Sequence, residues 1–281
     1  SQIMFKLVPI LDKLRPDWVF VFGDVNSSLA AALGAVKMGI KVAHIEAGLR
    51  SFDKDMPEEI NRILIDNISS LLFTPSRDAD SNLMNEGHKS EKIHMVGNIM
   101  IDSLIDSIPK AKRNFSNLDI NLQEKFILVT LHRPSNVDNK ARLKKIINEL
   151  KKLSKDIQIV FPIHPRTQKA FKKFNISLLS RNIICLEPKS YLDFLALQIH
   201  AELVITDSGG VQEETTFLKI PCITLRNNTE RPITILKGTN KLIKDNENIY
   251  NEVKKIISNK KNKVYESLEF WDGNTAKRII N

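Results

Sequence analysis

Short apolar runs alternate with longer stretches of helical periodicity along almost the whole chain. Strands that alternate with helices in this way form βαβ units, whose strands lie parallel in one sheet. The alternation therefore predicts an α/β fold, and it starts afresh in the second half of the chain. The runs are WVFVFG (18–23), KVAHIE (41–46), LLFTPS (71–76) and IHMVG (93–97), then FILVTLH (126–132), IQIVFPIH (157–164), NIICLEP (182–188), LVITDSGG (203–210) and PCITLR (221–226).

The alternation is interrupted between Asp102 and Glu124, where a helical stretch runs into the polar segment KAKRNFSN. Polar stretches are typical of domain boundaries. We therefore predict a first domain over residues 1–104, a second over 105–265, and a C-terminal helix over 266–281 that packs back on the first domain. The chain opens with an amphipathic helix that leads into a strand, and no strand comes before this helix in the sequence. The first domain is therefore expected to be incomplete.

Composition and charge exclude several classes of protein. With 42% hydrophobic and 27% charged residues, 10 Gly and 11 Pro, the chain is neither disordered nor collagen-like. Two cysteines, in apolar runs, predict a reduced cytoplasmic protein, and no run approaches the roughly 18 apolar residues of a membrane span. The net charge of +9 raises the question of nucleic-acid binding. However, lysines that alternate with Ile and Leu along the helix predicted near 139–153 indicate a solvated helix face, and no helix-turn-helix or aromatic-rich strand accompanies them.

Ligands of parallel sheets bind beyond the carboxyl ends of the strands, and this rule selects the candidate residues of the first half. Asp24 follows the first run, Glu46 ends the second, and Arg50 lies in the loop behind it. A carboxylate at the end of an apolar strand, such as Glu46, is expected to have a perturbed pKa. Glu58 and its neighbour Glu59 are candidates too, although acids behind a proline also favour a helix start. Asp24 has the same alternative, as a helix cap.

The second half places an imidazole and a guanidinium after each of two strands, in His132-Arg133 and His164-Pro165-Arg166. Because arginine binds phosphate through a bidentate fork, two such pairs indicate an anionic, phosphate-bearing ligand. Ser208-Gly209-Gly210 opens a helix, where small residues let backbone amides approach a phosphate. Glu213 and Glu214 follow within reach of a ribose, and Glu230-Arg231 adds a further cation. The chain lacks a P-loop, a Gly-x-Gly-x-x-Gly turn, a Gly-x-Ser-x-Gly elbow and Cys/His metal spacing.

Six segments together resemble the motifs of the non-hydrolysing UDP-N-acetylglucosamine 2-epimerases. This resemblance implies two Rossmann-like domains that face each other across a cleft, as in the GT-B glycosyltransferases. It implies inversion at C2 of UDP-GlcNAc to give UDP-ManNAc, through elimination and re-addition of UDP by way of 2-acetamidoglucal. Neither cofactor nor metal is implied. The segments are, in order, FGDVNSSLAAALGA, HIEAGLRSFDKDMPEEINR, LVTLHRPSNVDN, FPIHPRT, ITDSGGVQEE and LRNNTERP.

By resemblance, the catalytic set comprises Asp24, Glu46, Glu58 and His132. The two glutamates are expected to do acid–base work at C2, with Asp24 supporting them and His132 stabilising the leaving pyrophosphate or the sugar. In the substrate site, Ser208 to Gly210 and Arg231 are expected at phosphate, Glu214 at ribose and Phe194 near uracil. His164 and Arg133 resemble residues that help bind a second, regulatory UDP-GlcNAc. The full substrate-binding set is Arg50, Arg133, His164, Arg166, Phe194, Ser208, Gly209, Gly210, Glu214, Glu230 and Arg231.

The resemblance also implies a cytoplasmic homodimer that makes precursors of cell-surface polysaccharides and binds neither nucleic acid nor membrane. Family members begin with a strand and a basic loop that this sequence does not show, so weak or absent turnover and an impaired regulatory site are expected. Two alternatives remain open within enzymes: a hydrolysing epimerase and an epimerase of a 2,3-diacetamido uronate. A third alternative is a nucleotide-sugar-binding module without turnover, which would not need the carboxylates at 24, 46 and 58.

Overall fold

The computed structural model describes residues 2–178, 180–244, 247–259 and 265–281. The chain forms two compact units. The first takes in the described residues of Ser1–Asp102, Asn228–Ile233 and Glu269–Asn281, and the second those of Ser103–Asn227 and Thr234–Leu268. No helix in these described parts is long and apolar enough to cross a membrane.

The first unit contains a parallel sheet with the strand order β1-β2-β3-β4. In this sheet Val21 pairs with His44, and His44 pairs with Leu72. Buried alanine, valine and isoleucine side chains from β2 and the first helices form its core. Its elements are β1 (Trp18–Phe22), β2 (Lys41–Ile45), β3 (Leu71–Thr74), β4 (Ile93–Met95), α1 (Gln2–Leu14), α2 (Asn26–Lys37), α3 (Pro57–Ile68), α4 (Arg77–Asn85), a 3-10 turn (Ser90–Lys92) and the start of α5 (Ile99–Phe115).

The second unit contains a six-stranded parallel sheet with the order β10-β9-β8-β5-β6-β7. The chain order reverses between β8 and β5, and the carboxyl ends at such a reversal form a ligand-binding crevice. The strands are β5 (Phe126–Thr130), β6 (Gln158–Pro162), β7 (Ile183–Leu186), β8 (Leu203–Thr206), β9 (Cys222–Thr224) and β10 (Asn240–Leu242). The helices are α6 (Pro134–Val137), α7 (Lys140–Leu153), α8 (Pro165–Phe174), α9 (Tyr191–His200), α10 (Gly209–Phe217), α11 (Ile233–Leu236) and α12 (Ile249–Asn259), and α13 (Thr275–Ile280) lies in the first unit.

Helix α7 shows how local sequence determines these elements. Asn139 caps its first turn, since its side chain accepts a hydrogen bond from the backbone N–H of Arg142. Its leucines and isoleucines are fully buried, each contributing about 2 kcal/mol to the core, and Lys144 and Lys145 are exposed. The predicted solvated lysine face is therefore present.

The division into units differs from the predicted boundaries in two ways. We predicted a boundary at 104/105, near a polar segment, whereas the division falls after Asp102 inside the continuous helix α5. The segment Asn228–Ile233, which we predicted in the second domain, clusters with the first unit. The physical reason is that its polar residues bond side chains of the first unit, as Asn228 does to Asp53. Residues 260–264, near the predicted end of the second domain, lie outside the described residues.

The C-terminal residues belong to the first unit. The indole N–H of the buried Trp271 donates to the carbonyl of Pro75 at 3.3 Å. The Asp102 carboxylate accepts the backbone N–H groups of Thr275 and Ala276 at 3.2 and 2.8 Å, which stabilises the start of α13.

Candidate active site

Two sequence-predicted carboxylates lie at the carboxyl ends of neighbouring strands of the first unit. Asp24 follows β1 and Glu46 follows β2. The backbone of Glu46 has φ of +73°, a conformation that is unusual for a residue with a side chain. A Cβ atom on Gly23 would lie 3.0 Å from the Glu46 Oε2 atom. The glycine therefore allows the Glu46 carboxylate to pack against the turn that carries Asp24.

Burial raises the pKa of Glu46 above the usual range of a glutamic acid. The nearby negative charges of Asp24 and Glu230 raise it further, and the positive charges of Arg231 and His44 oppose the increase. A carboxyl group whose pKa is raised toward neutrality is suited to both accepting and donating a proton. Glu46 thus has the perturbed pKa that its position at a strand end predicted.

Asp24 is held by two residues of α3. The Arg62 guanidinium pairs with the Asp24 carboxylate, and the Asn61 amide donates to the Asp24 carbonyl at 2.7 Å. The Arg62 side chain is only 2% exposed, so this counter-charge is fixed in place. The N-cap residue of α2 is Val25, so Asp24 precedes the cap position and its carboxylate pairs with Arg62.

The adjacent glutamates at the start of α3 have different surroundings. Glu59 is buried and accepts hydrogen bonds from the backbone N–H groups of Ser51 and Phe52 at 2.9 and 2.7 Å, and from Arg62 at 2.6 Å. Burial alone would raise the pKa of Glu59, but these hydrogen bonds outweigh it and lower the pKa. Glu58 is half-buried in the same first turn. Glu59 therefore stabilises the loop at Ser51 and the start of α3, and the catalytic role of Glu58 stays a prediction.

Glu230 and Arg231 lie in the same unit as these carboxylates. The Arg231 guanidinium bonds the buried Glu230 carboxylate at 2.6 Å, and the Arg231 backbone N–H bonds the Thr229 hydroxyl at 3.1 Å. Because Arg231 also lowers the pKa of Glu46, its positive charge acts directly on the carboxylate site.

Arg50 does not line an open surface. Its side chain is 1% exposed and bonds Glu86 at 2.7 and 2.6 Å and Asp66 at 2.7 Å. The Arg50 guanidinium is thus engaged by the buried Asp66 and the exposed Glu86, and its predicted role in substrate binding stays a prediction. Sequence could not show this, because both partners are distant along the chain.

In the second unit, His132 and Asp207 lie at the strand-order reversal between β5 and β8. The buried Asp207 carboxylate accepts the backbone N–H groups of His132 and Arg133 at 3.0 and 2.9 Å, and the Asn136 amide at 3.1 Å. The His132 Nδ1 atom lies 3.1 Å from an Asp207 oxygen. Burial lowers the pKa of His132 and outweighs the opposing charge of Asp207, while His164 lowers it further.

His164 and Arg166 are exposed. The His164 ring lies 5.2 Å from the His132 ring, centroid to centroid, and its Nδ1 atom caps α8 by accepting the Arg166 backbone N–H. The Arg166 side chain pairs with Asp138 at 2.5 Å. The structure therefore brings the two histidines together and pairs the Arg166 guanidinium with the Asp138 carboxylate.

The predicted phosphate site, Ser208-Gly209-Gly210, lies where β8 leads into α10. Ser208 precedes α10, whose first residues are Gly209 and Gly210 and whose first turn contains no acid. A Cβ atom on Gly210 would meet no atom within 4 Å. The first turn of this nine-residue helix therefore leaves room for an anion at its positive end.

Glu214 and Phe194, predicted at the nucleoside, have contrasting positions. Glu214 is buried, accepts the Tyr191 hydroxyl at 3.0 Å, and has a pKa raised by burial. Phe194 packs against the apolar cluster around Phe126 and Leu128, so its ring contributes to the core of the second unit.

In the described part of the chain, no group of three or more His, Cys, Asp or Glu residues is arranged to hold a metal ion.

Comparisons with known proteins decide the family. The family model described as UDP-N-acetylglucosamine 2-epimerase matches residues 1–281. The chain belongs to the UDP-N-acetylglucosamine 2-epimerase family. A curated UDP-N-acetylglucosamine 2-epimerase of Methanococcus maripaludis is 46% identical over 100% of this chain and 79% of its own length. A UDP-2,3-diacetamido-2,3-dideoxy-D-glucuronate 2-epimerase of Pseudomonas aeruginosa is 41% identical over 86% of this chain and 68% of its own length.

A solved structure gives the same assignment. The UDP-GlcNAc 2-epimerase of Methanocaldococcus jannaschii, crystallised in complex with UDP-GlcNAc and UDP, superposes with a TM-score of 0.91. It is 44% identical, and the match covers 99% of this chain and 78% of that one. The epimerase resemblance and the α/β fold with Rossmann-like parallel sheets are thereby confirmed.

Sequence reasoning missed two residues that hold predicted ones in place in this epimerase family member. They are Arg62 beside Asp24 and Asp207 beside His132. Arg62 stands in the quoted segment MPEEINR, and Asp207 stands in ITDSGG. The available signal was the presence of charged residues inside motifs and next to apolar runs, where burial requires a partner.

Proposed function

We propose that this chain interconverts UDP-N-acetylglucosamine and UDP-N-acetylmannosamine by inverting C2. The observation that carries the proposal is Glu46, a half-buried carboxyl of raised pKa that packs beside Asp24 and its Arg62 counter-charge. Removal of a weakly acidic C2 proton needs a positioned base of this kind. The names of the relatives support the same substrate.

In the proposed reaction, a base removes the proton from C2 while the bond from C1 to the UDP oxygen breaks. The products of this step are 2-acetamidoglucal and UDP. UDP then adds back to C1 as an acid delivers a proton to the opposite face of C2, so that atoms and electrons balance. Glu46 and Glu58 share the acid and base roles, and Asp24 tunes Glu46 through its charge.

Departure of UDP places negative charge on its phosphates, and the groups that stabilise this charge lower the barrier. We assign that role to the amides of Ser208, Gly209 and Gly210 at the start of α10, assisted by His132 and Arg231. Glu214, which accepts a hydroxyl from Tyr191, is assigned to the ribose hydroxyls. His164 and Arg133 are assigned to a second, regulatory UDP-GlcNAc.

The experiment that tests the proposal monitors the C2 position directly. UDP-GlcNAc is incubated with the protein in D2O, and NMR detects deuterium at C2 and the appearance of UDP-ManNAc. Because the Methanococcus relative extends beyond the matched part, the assay is run on this chain and on a version extended by the relative's unmatched residues. Formation of UDP-ManNAc without deuterium at C2 would contradict the proposal. So would the absence of UDP-ManNAc with both the given chain and its extended version.

Glu46→Gln should abolish exchange and turnover and leave UDP affinity unchanged, since we assign Glu46 to the sugar carbon and assign the phosphates to the amides at the start of α10, His132 and Arg231. Glu91→Gln is the matched control, because Glu91 pairs with Lys89 on the exposed surface of the first unit. Loss of UDP affinity in Glu46→Gln would contradict the assigned role.

A second candidate substrate is a UDP-2,3-diacetamido uronate, which the 41% identical Pseudomonas relative favours. The same NMR assay with that sugar measures the preference as a ratio of kcat/KM. Release of free UDP and free sugar in equal amounts would identify a hydrolysing enzyme, and tight UDP binding without turnover would identify a binding module.

We also propose that the protein is a cytoplasmic homodimer and that its product supplies the synthesis of cell-surface polysaccharides. Light scattering tests whether the protein is a dimer.

A further inference from the structure

His44, the fourth residue of β2, is a fully buried histidine with both ring nitrogens in hydrogen bonds. Its Nδ1 atom lies 2.6 Å from an Asp66 oxygen, and its Nε2 atom lies 3.1 Å from the carbonyl oxygen of Gly23. The side chains of His44 and Asp66 are both 0% exposed. Buried groups of this polarity are costly unless each one is paired, so the arrangement defines where the protons lie.

A carbonyl oxygen only accepts, so Nε2 of His44 carries a proton. The second proton lies between Nδ1 and Asp66. The other Asp66 oxygen accepts Gly48 N–H at 3.2 Å and the Arg50 guanidinium at 2.7 Å, which both favour a carboxylate. Burial alone would raise the pKa of Asp66, but His44 and Arg50 outweigh it and lower the pKa. The carboxylate is therefore the acceptor, and Nδ1 is the donor.

We propose that His44 is a positively charged positioning residue of the carboxylate site. It holds the Gly23–Asp24 turn after β1 against β2 and places its positive charge in the unit that contains Glu46. The inference deepens the proposed epimerase function and rests on it. His44 itself touches no reacting atom and acts through Gly23, Asp24 and Glu46.

The contact with Gly23 matters because Gly23 lies next to both carboxylates. Gly23 directly precedes Asp24 in the chain, and its backbone has φ of +60°. A Cβ atom added to Gly23 would lie 3.0 Å from the Glu46 carboxylate. A shift of the Gly23 carbonyl would therefore move both carboxylates. The positive charge of His44 also lowers the pKa of Glu46 against burial.

The charged groups that act on Glu46 come from three parts of the unit. Arg231 and Glu230 come from the segment 228–233, Asp24 follows β1, and His44 lies on β2. Among these, Arg231 and His44 are the positive ones. Removing the charge of His44 leaves Arg231 as the principal opposing charge, so the pKa of Glu46 should rise.

The first test needs no substitution. The protein is labelled with ¹⁵N-histidine, and the His44 ring, assigned by nuclear Overhauser contacts within β2, is observed by NMR at neutral pH. Two ring N–H signals are expected. A ring with a single N–H at neutral pH would overturn the proposal, whether or not the protein turns over.

The second test compares His44→Gln and Asp66→Asn with His94→Gln, an exposed histidine on β4 of the same sheet. The two buried-site variants should lose about 10- to 100-fold in kcat, as is typical for residues that orient functional groups. The acid limb of their kcat/KM profile should move up by about one pH unit. Circular dichroism and tryptophan fluorescence check the folding of the first unit, which holds Trp18 and Trp271, the two tryptophans of the chain.

The outcomes separate the two proposals. An unmoved pH profile in a folded His44→Gln, or equal kcat in His44→Gln and His94→Gln, would overturn the positioning role and leave the epimerase function intact. Absence of turnover in the unsubstituted protein would overturn the function and the role together. If neither variant folds, the ring signals of the unsubstituted protein decide the charge of His44, and a single N–H refutes it.

Discussion

Arg62→Met should destabilise the first unit strongly, because Arg62 is the shared cation of two carboxylates. Its guanidinium bonds Glu59 at 2.6 and 2.9 Å and the Ser51 hydroxyl at 3.3 Å, and it pairs with Asp24. Both the Arg62 and the Glu59 side chains are only 2% exposed. Methionine fills part of the volume and leaves the Glu59 carboxylate buried without its cation.

The magnitude depends on that burial. Removing one partner of a buried pair costs about 3–5 kcal/mol, because the remaining charge is uncompensated. The backbone N–H groups of Ser51 and Phe52 still bond Glu59, which places the expected value near the lower end, at about 3 kcal/mol. At roughly 2–4 °C per kcal/mol for a unit in a protein of this size, Tm should fall by about 10 °C.

Urea unfolding monitored by tryptophan fluorescence measures this change in the first unit specifically. Both tryptophans of the chain, Trp18 and Trp271, lie in that unit. Arg15→Met is the matched control, because Arg15 forms an exposed pair with Asp12 and should leave the midpoint unchanged. Equal midpoints in Arg62→Met and Arg15→Met would refute the role of Arg62 as a shared cation.

The pH dependence supplies an independent check with a defined sign. The folded-state pKa of Glu59 is lowered, so its contribution to stability is complete above the unfolded pKa of about 4.3 and is lost as pH falls through the folded pKa. In Arg62→Met that stabilisation is already missing. The difference between the two proteins should therefore shrink below about pH 4, and a constant difference would show that Glu59 is not the source.

Two further predictions concern backbone space and the second unit. Gly48→Ala should destabilise the protein by about 2–5 kcal/mol in urea unfolding, because the added Cβ would lie 2.5 Å from a backbone oxygen at a φ of +78°. Gly39→Ala, at a φ of +75° with nothing within 4 Å, should cost only about 1 kcal/mol, and equal losses would contradict the steric explanation. Asp207→Asn should weaken UDP binding about tenfold by calorimetry, because it frees the His132 ring, and should lower the pKa of His132 further by NMR titration. Unchanged affinity and titration would show that Asp207 does not orient this histidine.

The sheets of the fold were predictable from sequence because their strands are continuous apolar runs. The run predicted at 18–23 forms Trp18–Phe22, and the run at 126–132 forms Phe126–Thr130. The predicted runs are longer because sequence cannot tell where a strand ends and its ligand-binding loop begins. The strand Asn240–Leu242 escaped prediction, since three residues with two polar side chains give no periodic signal.

The boundary between the two units could not be predicted, because it falls inside the continuous helix α5. A polar stretch after Asp102 suggested a linker, yet α5 continues through Pro109 to Phe115. The sequence also gives no sign that Asn228–Ile233 belongs to the first unit. It depends on bonds such as that from Asn228 to Asp53, which join residues 175 positions apart.

The carboxylates of the candidate site and the cation Arg231 could be predicted from sequence, whereas Arg62, the cation that pairs with Asp24, could not. Strand ends identify Glu46 and Asp24, because parallel strands deliver their carboxyl ends to one side of a sheet. Asp24 receives its counter-charge from Arg62, 38 residues away, whereas burial leaves Glu46 with a raised pKa. Two carboxylates from equivalent strand positions thus acquire different surroundings, and acid–base chemistry at a single carbon depends on that difference.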